Sequence, residues 1–109
     1  MYVRIVTFQL DDDAAGDYQD HAAAIAPAFP SSYPGLVAKV WLADEQAGTY
    51  GGVYLFADRE AADGSRNTDL FKSMVANPAF AELSVREFDV LDEPTAITAS
   101  TLTPALVSD

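Results

Sequence analysis

Three side chains on one short stretch of this chain could do chemistry together: the ammonium of Lys39, the indole N–H of Trp41 and the phenol of Tyr54. They lie in Leu36-Val37-Ala38-Lys39-Val40-Trp41-Leu42 and Tyr50-Gly51-Gly52-Val53-Tyr54-Leu55-Phe56, two β-rich runs joined by an acidic turn. A lysine set into an apolar, aromatic wall is costly unless it is paired or its head reaches water. If Asp44 pairs with Thr49, the two runs close as a hairpin. Trp41 then faces Gly52, Lys39 faces Tyr54 and Val37 faces Phe56, all on one side. Gly52 opposite the indole leaves room for the ring, whereas a slip of one residue would send Tyr54 and Phe56 to the other face. An ammonium, a phenol and an indole N–H beside flat apolar surface have the composition of a small-molecule pocket. The plainer reading is a core face, with Lys39 reaching solvent or a carboxylate and Tyr54 needing only a hydrogen-bond partner. Three such groups on one hairpin face favour the pocket.

Other candidates are weaker. His21, the only histidine, falls at the edge of a helical stripe, where an imidazole could reach a pocket and act as a general base; a boundary histidine is the plainer reading. Arg86 falls on the same side of the last strand as Phe88 and Val90, and could bind an anionic oxygen or pair with a carboxylate. Asp11, Asp12 and Asp13 lack the further oxygen ligands that a cation site needs, and read as a helix cap and solvated turn. No phosphate-binding glycine loop, hydrolase nucleophile motif or metal-ligand cluster stands in the sequence.

The elements that must position these groups follow from the pattern. Tyr2 to Leu10 mix β-branched and aromatic residues, as in a strand buried on both faces. A helix is predicted over about Ala14 to Ala28, burying Tyr18, Ala22, Ile25, Ala26 and Phe29. Strands follow over Leu36 to Ala43 and Thr49 to Phe56, with Asp44 to Gly48 as the loop. Asp58 can cap a second helical region through Val75, which Gly64 and Asn67-Thr68 can kink or split. A last strand is predicted over Ser84 to Leu91, and beyond Pro94 the composition turns to that of a tail. The order is β-α-β-β-α-β, a ferredoxin-like α+β plan with a four-stranded antiparallel sheet. The strands are apolar on both sides, so the face that helices leave bare needs a cover. A second copy of the same sheet is the simplest one.

Composition bounds the function. The chain of 109 residues is one domain, half its residues are apolar, and it has no cysteine, which excludes disulfides and a thiol nucleophile. A net charge of −11 argues against nucleic acid and anionic membranes as partners. No run is long enough to span a bilayer and no signal segment opens the chain, so a cytoplasmic protein is expected.

Pro34-Gly35-Leu36, Lys39-Val40-Trp41, Gly51-Gly52-Val53-Tyr54-Leu55-Phe56 and the closing Arg86-Glu87-Phe88-Asp89-Val90 with Glu93-Pro94 resemble the YdhR family of monooxygenases over about residues 2 to 98. The resemblance implies a dimeric α+β barrel related to the antibiotic-biosynthesis monooxygenases, which oxidise aromatic, polyketide-like substrates with molecular oxygen and neither metal nor flavin. It carries over Lys39, Trp41, Gly52, Tyr54 and Phe56 as family features. The expectation is a homodimeric, cofactor-independent monooxygenase with a 1–98 domain and a 99–109 tail. Lys39, Trp41 and Tyr54 would be catalytic, with Tyr18, His21, Phe29, Gly52, Phe56 and Arg86 binding a small aromatic substrate. A cyclase or isomerase on the same fold, or a dimer that only binds, would use the same pocket.

Overall fold

The first strand sets the layering. In the computed structural model, which describes residues 1–99, β1 (Tyr2–Gln9) buries Tyr2, Arg4, Val6 and Phe8 and leaves the residues between them half-buried. One face of this strand therefore packs a core and the other stays partly open, in place of the strand buried on both faces that its apolar run suggested. The sheet runs β2-β3-β1-β4, every pairing is antiparallel, and the order of elements is the ferredoxin-like one.

Helix α1 (Asp12–Ile25) starts where the sequence places its cap: Asp11 accepts a hydrogen bond from the Ala14 N–H at 2.8 Å. The helix passes into a 3₁₀ turn (Ala26–Ala28) and a single turn, α2 (Phe29–Ser32), because Pro27 and Pro30 interrupt continuous backbone bonding. The second helical region is split, as its glycine and Asn-Thr pair suggested. It forms α3 (Arg59–Ser65), capped by Asp58, and α4 (Asp69–Ala76), capped by Thr68.

Between them, β2 (Leu36–Asp44) and β3 (Thr49–Phe56) form the hairpin. Asp44 pairs with Thr49, Trp41 with Gly52 and Lys39 with Tyr54, which is the predicted register. At the open end it departs from prediction: Leu36, not Val37, pairs with Phe56, because the register shifts between Leu36 and Ala38. A bulge there turns Val37 outward, to 38% exposure. Strand β4 (Ala81–Asp89) begins earlier than predicted, and its register against β1 shifts between Thr7 and Gln9.

Residues after β4 correct the sequence reading again. Asp92–Thr98 is a helix, α5, where a tail was expected. Pro94 does not prevent it, because an N–H in the first turn of a helix has no intrahelical partner to lose. The rest of the expected 99–109 tail, from residue 100, lies outside the described residues.

Helices α1, α3 and α4 pack Tyr18, Ala62 and Phe71 among others onto the inner sheet face, closing a core rich in aromatic rings: Phe8, Phe29, Tyr33, Tyr50, Tyr54 and Phe56. The outer face carries Val3, Ala38, Val40, Val53 and Leu55 around a shallow apolar hollow of about 330 Å³. Val40 is 57% exposed there. No helix of the described residues is long and apolar enough to cross a membrane.

Candidate active site

A cavity of about 260 Å³ opens between the inner sheet face and the helices. Strand β1 gives it Val6 and Phe8, the hairpin gives Lys39, Trp41, Gly52 and Tyr54, and α1 gives Tyr18, His21 and Ile25. Phe29 and Tyr33 close one end, while Leu70, Ser73, Met74 and Asn77 on and just after α4, with Phe80, close the other. The volume exceeds the ~150 Å³ that holds one benzene and sits just below the ~300 Å³ at which drug-sized pockets begin. It suits a small ring system.

Lys39 is the centre of this arrangement. Its Nζ lies 3.4 Å from the ring centroid of Trp41, 4.0 Å from that of Phe29 and 4.5 Å from that of Tyr54. Each ring face offers a cation roughly 0.5–2 kcal/mol. No ion pair joins Lys39 to a carboxylate among the described residues. Three ring faces do not replace water and a counter-ion, and burial pushes the Lys39 amine down to about 7. Burial also pushes the neighbouring Tyr54 phenol up, with lesser contributions from the other phenols, Tyr33 and Tyr18. That hydroxyl stays protonated and able to donate at neutral pH.

Gly52 makes this possible by a route the sequence reading did not anticipate. A Cβ at Gly52 would come within 2.8 Å of Lys39 Cε and 3.2 Å of the Val40 carbonyl oxygen. The missing side chain makes room for the lysine stem, not for the indole. The ring of Trp41 instead stands edge-on to Phe29, at 5.3 Å between centroids and 70° between planes.

Of the residues singled out in the sequence, Lys39, Trp41, Tyr54, Tyr18, His21, Phe29 and Gly52 all line the cavity. His21 is exposed, at its mouth, with Ser73 and Asn77. Phe56 does not line it: wholly buried, it stacks beside Tyr54 at 6.2 Å and 5° and belongs to the core. Arg86 is the clear correction. It pairs with Ile5 across the strands, so it stands on the outer face, where its guanidinium lies 5.2 Å from the Phe88 ring. Strand alternation puts Glu87, not Arg86, on the inner face.

Glu87 there meets Arg4, a cation the sequence reading passed over. Arg4 is 1% exposed. Its Nε donates to Glu87 at 2.7 Å, one terminal nitrogen to the Ser65 hydroxyl at 2.7 Å and the other to the Ala62 carbonyl at 2.7 Å. Arg66 donates to the same Glu87 oxygen at 2.7 Å. Burial alone would raise the Glu87 pKa, but the two guanidiniums outweigh it and hold the carboxyl below its usual range. The signal was available: Arg4 occupies a buried position in the Tyr2-Arg4-Val6-Phe8 alternation. Phe8, Met74 and Phe80 also line the cavity and were missed, because each reads in sequence as an ordinary apolar core residue.

The sheet order and the helices on one face define a ferredoxin-like α+β fold, the fold also seen in solved antibiotic-biosynthesis monooxygenases. MhuD, a heme-degrader from Mycobacterium tuberculosis solved with two hemes in its active site, superposes with a TM-score of 0.66 at 23% identity, over 84% of this chain and 96% of that one. A putative antibiotic-biosynthesis monooxygenase from Caulobacter crescentus gives 0.67 at 18% identity, over 83% and 89%. A second putative antibiotic-biosynthesis monooxygenase, from Deinococcus radiodurans, gives 0.68 at 14% identity, over 83% and 92%. At such identities the likeness is one of fold. The sequence carries the narrower assignment: the family described as "Putative mono-oxygenase ydhR" matches residues 4–101, and the chain belongs to it. No curated protein matches the chain in sequence.

Proposed function

We propose that this member of the monooxygenase family oxidises an electron-rich aromatic small molecule with molecular oxygen and no cofactor, and that it works as a homodimer. The observation that carries the reading is Lys39, an ammonium without a carboxylate partner, set among three rings in a cavity the size of a small ring system. A positive charge held in a dry pocket favours a guest that becomes an anion there. Trp41 and Phe29 supply flat surface for stacking, and the Tyr54 hydroxyl supplies a donor. His21, at the mouth, is the candidate for the base.

The chemistry fits an aromatic ketone carrying an acidic methylene. Deprotonation gives an enolate whose oxygen Lys39 stabilises, and the enolate gives an electron to oxygen. The resulting radicals combine to a peroxide. Loss of water then leaves a new carbonyl, with one oxygen atom in the product and the other in water together with both methylene hydrogens. The substrate supplies all the electrons, so no flavin or metal is required by the balance.

The apolar outer face supports the dimer. Val40 and Phe88 are 57% and 42% exposed, and a face of that composition is buried favourably by a second sheet. The acidic, cysteine-free composition supports a cytoplasmic site of action. The likeness to MhuD raises heme as a guest, yet the only histidine of this chain, His21, stands exposed at the mouth and not over the apolar floor.

Oxygen uptake by chelator-treated protein, with anthrone as the probe, tests the reading. Stoichiometric uptake with quinone formation is expected, and Lys39→Met should lower turnover by about 10²–10³-fold, the scale on which one positioned electrostatic group acts. Conversion without oxygen consumption would point to a cyclase or isomerase, and affinity without conversion to a binding protein; either result overturns the proposal.

A further inference from the structure

Lys39 has a second chemical capacity that oxygen activation does not use. The chain has two lysines, Lys39 and Lys72, and one α-amine. The α-amine is held by the Asp92 carboxylate at 3.0 and 3.3 Å. Lys72 is exposed on α4, open to water. Lys39 alone sits in a cavity walled by rings, and no hydrogen bond or ion pair engages its nitrogen among the described residues. Gly52 holds its stem along the sheet, so that the amine ends among Trp41, Phe29 and Tyr54 where a flat guest would lie.

We infer that Lys39 captures aromatic aldehydes and ketones covalently, its Nζ adding to the carbonyl carbon of a guest seated in the cavity. The carbinolamine so formed loses water, made of the carbonyl oxygen and the two amine hydrogens, and an imine joins guest and protein. No oxidant or reductant is consumed. Burial, which pushes this amine down to about 7, leaves a substantial share of it as free base near neutrality, the form that attacks carbonyls. The Tyr54 ring lies 4.5 Å from Nζ, and its hydroxyl stays protonated at neutral pH, able to donate to a departing oxygen within its reach. The apolar walls keep water from the imine and slow its return. The ligand class is therefore a flat aromatic carbonyl compound that fills about 260 Å³.

The full chain, kept free of oxygen, is incubated near neutral pH with 2-hydroxy-1-naphthaldehyde and reduced with borohydride, and the labelled peptides are weighed by mass spectrometry. In the folded protein the reduced adduct is expected on Lys39 at least about tenfold over Lys72, because only Lys39 lies where the cavity seats the aldehyde. In urea the preference should vanish. Excess 2-naphthol, the same ring system without the carbonyl, should protect Lys39, and Lys39→Arg should abolish the adduct. Equal labelling of Lys72, labelling of Lys39 only after unfolding, or labelling that naphthol leaves unchanged would each overturn the inference. The comparison of folded with unfolded wild type decides the matter even where Lys39→Arg fails to fold. Because oxygen is absent throughout, the outcome is independent of whether the protein is an oxygenase.

Discussion

Two cations stand on the same inner sheet face, and the protein treats them oppositely. Arg4 touches two rings, Phe56 and Phe71, each 5.1 Å from its guanidinium, and its nitrogens all find acceptors in Glu87, Ser65 and the Ala62 carbonyl. Lys39 touches three rings and no acceptor. The first arrangement compensates burial of the charge and fastens β1 to β4 and α3. The second leaves the cost standing, and a cavity beside it. A buried ion whose nitrogens all find acceptors is a structural joint, whereas a half-buried one whose nitrogen finds none is free to act on a guest.

That contrast can be broken from either side. Arg4→Met should have a large effect, a loss of about 3–5 kcal/mol, because it removes the buried partner of Glu87, which keeps only the more exposed Arg66 and a long bond from Tyr2, and one of the two donors to the Ala62 carbonyl. Denaturant titration measures it, and a loss under 1 kcal/mol would mean that the network contributes little. Gly52→Ala should act more finely. Its methyl takes the space of the Lys39 stem, so the ammonium leaves the ring cage, at a cost of about 1–3 kcal/mol for overpacking. Borohydride labelling of Lys39 should then fall to the level of Lys72 while circular dichroism shows an unchanged fold.

A third test turns on pH. Unfolded, Lys39 titrates near 10.5; folded, it titrates near 7. Between these values the unfolded chain holds the extra proton, so raising the pH through this window favours the folded state. Below 7 the lysine carries its full burial cost, and above 10.5 it carries none. Lys39→Met should therefore match or exceed wild type in thermal stability at neutral pH, and lose that advantage as the pH approaches 10.5. An advantage constant across the window would show that Lys39 is not desolvated.

How far the sequence revealed this arrangement depended on how local each feature is. The hairpin register was legible, because the Asp44–Thr49 closure and strict alternation leave one way to gather Lys39, Tyr54 and Trp41. The bulge at Val37 was not, since it answers to how the chain leaves α2 and meets Phe56. Helix α5 was hidden by a proline that its first turn tolerates. Arg4 was overlooked in a strand read only for its apolar residues, though its alternation partners are all buried. Arg86 was favoured over Glu87 by chemistry alone, when parity along β4 decides which of the two faces inward. The cavity needed α4 and Phe80, which no pattern in the hairpin could summon.

One further property follows from the placement of Trp41. It is the sole indole of the chain, and an amine lies 3.4 Å above its ring. Excited at the red edge of indole absorption, where the five tyrosines do not absorb, this protein emits from a single chromophore within the cavity, under the direct field of the group whose protonation matters. The molecule reports optically on its own occupancy, with no label attached.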